Sequence, residues 1–268
     1  MKTKLFKRPL QRFRAGALAL CVVSLGWASS SPAERCPIDA GEFRADPAAT
    51  SVFLTKRCDF ETTGVNPFLI LVPGYRIVLE SDEGLQRITV LRKTRVVNGV
   101  TTRVVEEFEY EKDGDELIPV ERSLNYIAMC RQTNSMFYFG EDVQFFDEDG
   151  NVTGSQGAWH AGENGARPGI VMPGTILVGG SYYEEIAPED SALDKGTVVS
   201  LEKGCEAGDF EFERLCLAVE GSNDCNSDTD SKLYVKGIGV VADDDLEITK
   251  YGFVRDDDDD DDRDEKDD

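Results

Sequence analysis

Gln86–Glu111 reads QRITVLRKTRVVNGVTTRVVEEFEYE, and its period decides the fold class. Ile88, Val90 and Val96 alternate with Arg87, Thr89, Lys93 and Arg95, a spacing of two that suits a strand with one buried face. Asn98-Gly99 follows, the preferred pair for a type I′ hairpin turn, in which both central residues take positive φ. Beyond it Phe108 and Tyr110 fall on one face, and Glu107, Glu109 and Glu111 on the other. Asp113-Gly114 marks the next turn.

The same period extends outward. Strand-like runs recur at 123–130, 136–139, 143–146, 152–159, 182–186, 197–202, 212–219, 233–241 and 246–251. Short strands divided by turn residues predict an antiparallel all-β domain, a strongly bent sheet forming a barrel or half-open barrel. A short helix near Ala48 is the one helical expectation, and no later window has an amphipathic helical pattern.

Residues 1–33 read as a signal peptide: Lys2, Lys4, Lys7, Arg8, Arg12 and Arg14 precede an apolar run from Ala15 to Trp27 and small residues up to Ala33. The expected organisation is that signal peptide, a disulfide-pinned arm over 34–65, a barrel-like domain over 66–255 and a disordered acidic tail over 256–268. The whole chain carries 29 bases, 52 acids and a net charge of −23. Six of the bases and none of the acids lie in 1–33, so the remainder has 23 bases against 52 acids, a net −29. Such a field repels phosphate backbones and argues against nucleic acid, leaving an unknown ligand or a cationic partner. No apolar stretch is long enough for a transmembrane span. The expected location is periplasmic or extracellular.

Cysteine usage agrees with export. Cys36, Cys58, Cys130, Cys205, Cys216 and Cys225 follow the signal segment, an even set that reads as up to three disulfides. Local spacing suggests Cys36 with Cys58 and leaves the other four open. No C-x-x-C occurs, which argues against a redox motif or a zinc knuckle.

No cofactor is predicted, although calcium is possible at three places. Asp147-Glu148-Asp149-Gly150-Asn151 begins like a calcium loop but lacks its closing ligands, and reads first as a hairpin turn. Asn226, Asp228 and Asp230, with Asp224 nearby, alternate as oxygen ligands do. The run that starts Asp256, Asp257, Asp258 offers flexible carboxylates suited to weak calcium binding. As catalytic candidates the chain offers Glu141 and Glu163, carboxylates at strand–loop junctions beside aromatics, and His160, its one histidine. No G-x-S-x-G elbow is present. Gly162–Pro173 (GENGARPGIVMP) has a non-repeating composition that fits a cap over a barrel mouth or a rigid connection between two halves of the sheet.

Three motifs occur in order: Asn66-Pro67-Phe68 with Leu71-Val72-Pro73-Gly74, then Tyr138-Phe139-Gly140-Glu141, then Trp159 to Pro173. Over about residues 66–254 this series resembles a group of exported bacterial β-rich proteins of unknown function. Those carry N-P-[YF]-x-x-L-x-P-G, Y-F-G-E and A-G-x-[DN]-G-A-x-P-G-I-x-M-P motifs. The chain departs from them at Arg76-Ile77, where an aromatic-rich strand is usual, and in its cysteines and acidic tail. The resemblance implies a β-rich exported domain and supplies no reaction. Within its motifs Tyr138, Trp159, Asn164 and Met172 are the candidate ligand contacts. The function expected is a non-enzymatic exported protein that binds a ligand or partner in the concave face of its sheet. Two rivals stand beside it: an extracellular carboxylate-dependent hydrolase or lyase, and a calcium- or mineral-binding acidic matrix protein.

Overall fold

The period of two carries through nearly the whole molecule. The computed structural model describes residues 36–114, 116–225 and 229–254. Within them helix is confined to single 3-10 turns at Thr55–Arg57 and Pro188–Asp190. The short helix expected near Ala48 does not form; Ala49–Thr50 is instead a two-residue strand, β1. The arm continues through β2 (Phe60–Glu61), β3 (Gly64–Asn66) and β4 (Leu69–Leu71).

A first antiparallel meander joins β5 (Tyr75–Glu80), β6 (Gly84–Val97), β7 (Val100–Asp113), β8 (Glu116–Cys130) and β9 (Ser135–Phe146). Asn98 and Gly99 take φ of 47° and 78° between β6 and β7, the type I′ geometry their identities specify. Short pieces follow: β10 (Val152–Gly154), β11 (Trp159–His160), β12 (Arg167–Met172), β13 (Ser181–Tyr183) and β14 (Glu185–Ile186). A second meander holds β15 (Asp194–Ala207), β16 (Phe210–Asn223), β17 (Ser231–Val235), β18 (Gly239–Asp243) and β19 (Leu246–Phe253). Its last strand returns to pair with β5, Glu247 opposite Glu80.

The two meanders therefore form one strongly curled sheet, a half-barrel. The curl has a local cause. Register shifts interrupt β6–β7 between Val90 and Thr94, β8–β9 between Asn125 and Ile127, and β15–β16 at two points. Each such irregularity bends its strand and adds twist. The segment Ser181–Ile186 spans from one side of the curl to the other. Ser181–Tyr183 pairs with β15, and Glu185–Ile186 pairs with β12, which itself pairs with β9. Only Glu184 separates the two pairings.

Three sequence expectations need correction. The sheet is mixed rather than purely antiparallel, because β1 runs parallel to β13 with Ala49 opposite Ser181. Cys36 does not pair with Cys58. The disulfides are Cys36–Cys225, Cys58–Cys130 and Cys205–Cys216, so the arm is pinned to remote strands rather than to itself. Spacing along the chain favoured the local pair, but the arm runs across the sheet and leaves the two cysteines beside different strands. Finally, Gly162–Pro173 is not irregular throughout. Arg167–Met172 is strand β12, and the true turn is confined to Ala161–Ala166, closed by hydrogen bonds between Gly162 and Ala166 and between Ala166 and Glu163.

The three disulfides indicate an oxidising environment of the kind exported proteins enter. No helix among the described residues is long and apolar enough to cross a membrane.

Candidate functional site

Register along β6 and β7 sets a gradient inside the curl. Val90 lies opposite Val105, then Ile88 opposite Glu107, then Gln86 opposite Glu109. The concave face thus passes from apolar to acidic within about five residues of strand, each inward position rising 3.2–3.4 Å per residue. On β8 the order is the same, from Ile127 through Asn125 and Ser123 to Glu121. These side chains line a cavity of about 640 Å³. Phe68, Tyr75, Ile77 and Val240 complete its apolar end, and Glu184, Glu185 and Asp194 join its acidic wall.

The alternation of β7 is inverted relative to simple hydrophobic burial. Phe108 and Tyr110 face outward, where they stack at 4.4 Å, and Phe146 adds to the stack at 5.8 Å. Arg87 and Arg122 lie over these rings. With the aromatics covered on the outer face, the carboxylates are left inside.

Ten carboxylates and two lysines line the cavity, so its field is strongly negative. Both lysines are already engaged. Lys232 pairs with Asp230 at 3.0 Å and Asp243 at 2.7 Å, while Lys195 pairs with Asp224 at 2.6 Å and Asp46 at 3.2 Å. Burial, with repulsion from Glu109, Asp243 and Glu141, pushes the Glu107 carboxyl up to about 8 against the pull of Lys232. Burial and neighbouring acids push Glu184 to about 8 as well. Glu141 is raised to about 7 by burial and by Glu121 and Asp194, although a hydrogen bond from Tyr138 opposes the shift. Glu185 stands well above the usual range through burial and a hydrogen bond to Asp194, a contact that needs a proton between the two carboxyls.

Tyr138 and Glu141 are three residues apart on β9, yet both face the cavity. Gly140 makes this possible: its φ of 142° falls where side chains are strained, and β11 crosses directly over it. A Cβ at Gly140 would lie 2.4 Å from the Trp159 carbonyl oxygen and 2.9 Å from His160 Cα. Gly140→Ala is expected to destabilise the fold by about 2–4 kcal/mol, from strain plus the clash. Urea unfolding measures this, and a loss below about 1 kcal/mol would contradict the account of the bulge.

The sequence candidates separate in space. Glu141 points into the cavity, whereas His160 and Glu163 lie elsewhere. His160 Nε2 is 2.9 Å from Asp142 and its Nδ1 is 3.5 Å from Glu163. Asp142 also accepts hydrogen bonds from Arg95 and from the Tyr126 hydroxyl. Although burial opposes it, Tyr126 and Arg95 hold that carboxyl below the usual range. Tyr138 lines the cavity and donates to Asn125 Oδ1 at 2.5 Å. Trp159 packs edge-on behind Tyr138 at 5.3 Å, and Met172 is fully buried in the core. Asn164 lies outside, contacting Asp190 Oδ1 at 3.2 Å.

Asp147 accepts from the backbone of Asp149 and Asn151 and so closes an ordinary turn. Asp224 and Asp230 are held by lysines, while Asn226, Asp228, Asp256, Asp257 and Asp258 lie outside the described residues.

The three motifs meet around β9. Asn66, fully buried, donates to the carbonyls of Asn134 and Pro173, while β11 and β12 pair with β9 on either side of Gly140. One member of each motif, namely Phe68, Glu141 and Val171, reaches the cavity. Sequence reasoning missed Gln86, Glu107, Glu109, Glu121, Glu184, Glu185 and Asp194. The one signal available was Glu184-Glu185 set between Tyr182-Tyr183 and Ile186, an acidic pair inside an apolar strand. Compared with protein-family models, curated proteins and solved structures, the chain matches none.

Proposed function

We propose that this is an exported binding protein that holds a small organic molecule inside its curled sheet, without transforming it. The observation that carries this reading is the cavity of about 640 Å³, which falls in the size range of small-molecule sites and joins an apolar end to a polar wall. The convergence of all three motifs on its lining supports the same reading. A neutral apolar dye, Nile red, is expected to bind one-to-one with a saturable rise in fluorescence. Ile88→Trp, which fills the apolar end, should weaken that binding by about tenfold or more while the circular dichroism stays unchanged. Equal binding by both proteins would place the dye outside the cavity and remove the main support.

One observation favours the rival carboxylate chemistry. Glu185 and Asp194 share a hydrogen bond beside Glu141, and a proton held between carboxyls is the resting state of an acid–base pair. Binding remains the stronger reading, because both Glu185 and Tyr138 are buried behind the cavity surface and the candidates His160 and Glu163 do not join them.

A further inference from the structure

The polar wall of the cavity is short of hydrogen-bond donors, and Gln86 shows where this matters most. Its side chain is 3% exposed, and it lies on the strand face that brings Ile88 and Val90 to the cavity. Its amide nitrogen donates to Glu107 Oε1 at 2.6 Å and to Glu109 Oε1 at 3.2 Å. Turning the amide over would set its oxygen against both carboxylates, so charge fixes the orientation. Gln86 Oε1 is thereby left buried with no partner among the described residues. A buried acceptor without a donor costs about 1–3 kcal/mol, which a ligand bearing the missing proton would recover.

The neighbouring donors are already committed. Ser123 donates to Glu121 and Asn223 to Asp194. Both lysines are paired with other carboxylates, and among the described residues neither Glu107 nor Glu109 has an ion pair. What remains to donate is neutral, such as the Asn125 amide and the Tyr234 hydroxyl. An anionic ligand would be repelled by this wall. A neutral apolar one would leave Gln86 Oε1 and the carboxylates unsatisfied. A bare metal ion would leave the apolar end unfilled, and no three metal-ligating side chains gather among the described residues.

Resting on the reading of the cavity as a ligand site, we infer that its ligand is an organic cation, a protonated amine carried on an apolar body. The ammonium group sits beside Glu107, Glu109 and Gln86 Oε1, three acceptors for its three protons, and the body lies against Ile77, Ile88 and Val90.

Three probes of equal length and different charge test this on the full chain by calorimetry: octylammonium, octanol and octanoate. Octylammonium is expected to bind one-to-one and about tenfold or more tighter than octanol, with octanoate weakest. The double variant Glu107→Gln/Glu109→Gln should lose that preference while still binding octanol. Equal affinity for all three probes would overturn the inference and leave the cavity reading standing. So would octylammonium failing to bind while Nile red still does; failure of both would remove the cavity reading as well. Calcium alone binding at this wall, with no uptake of octylammonium, would overturn the inference in favour of a metal. Should the double variant not fold, the three-probe comparison on the unaltered chain decides alone.

Discussion

Raising the pH from 5 to 9 is expected to lower the melting temperature by about 10 °C. The cause is the cavity wall, where Glu107 and Glu184 are pushed up to about 8 and Glu141 to about 7, from an ordinary value of 4.5. A carboxyl raised in this way binds its proton more tightly in the folded chain than in the unfolded one. Its stabilising contribution is complete below the unfolded value and is lost as pH rises through the folded one. The limiting slope is about 1.4 kcal/mol per pH unit for each group. Water entering the cavity screens the wall, so the combined loss is expected at about 3–5 kcal/mol rather than at the full sum. At the acid end Asp46, Glu80 and Asp142 act in the opposite sense. Their depressed values, set chiefly by hydrogen bonds and lysine or arginine neighbours against some burial, withdraw stability as they protonate. The stability maximum is therefore expected near pH 5. Scanning calorimetry across this range checks it, with Glu107→Gln/Glu184→Gln expected to flatten the alkaline limb. A profile that is level or rising from pH 5 to 9 would refute the wall as described.

The second large effect concerns Cys58–Cys130. Cys130 is fully buried, and the bridge closes a separation of 72 residues between the arm and β8. Replacing both cysteines with serine should cost about 4–5 kcal/mol by loop-closure entropy, and more if the buried serine hydroxyl lacks a partner. Cys205–Cys216 spans only 11 residues within the β15–β16 hairpin, and its loss should cost about 2–3 kcal/mol. Cys36–Cys225 closes the longest separation, 189 residues, yet it ties down only the start of the arm. Its removal should free that arm locally and lower the global transition less than the formula gives. Denaturant unfolding of the three double-serine variants ranks them. An order with Cys205–Cys216 above Cys58–Cys130 would refute the account.

The hairpin at Asn98-Gly99 was legible because turn chemistry and period agree at one place. So was the all-β class, which needs only the repeated alternation. The direction of the faces was not legible. Alternation in Glu106–Glu111 separates aromatics from carboxylates without saying which set turns inward, and the answer depends on Arg87 and Arg122, which come from other strands to cover Phe108 and Tyr110. Tyr138 and Glu141 were found through their motif, although a strict period of two places residues three apart on opposite faces. Gly140 removes that parity. His160 and Glu163 looked equivalent to Glu141 for want of the β9–β11 register, which turns them toward Asp142 instead. Disulfide pairing was illegible for the same reason, since chain distance says nothing about which strands the arm crosses.

The span Ser181–Ile186 has a consequence for how the chain reaches its native state. Each meander is made of hairpins between neighbouring strands, which zip from their own turns on a timescale of about 1–10 μs. Pairing of β5 with β19 instead joins segments from opposite ends of the domain, as Glu80 opposite Glu247 shows. That step waits on loop closure and sets the slower rate. Until Glu184 is seated between β12 and β15, the two halves each present a bare strand edge, open to the matching edge of another molecule. The same six residues that bring two carboxylates to the cavity therefore also decide whether the halves join within one chain or exchange between two.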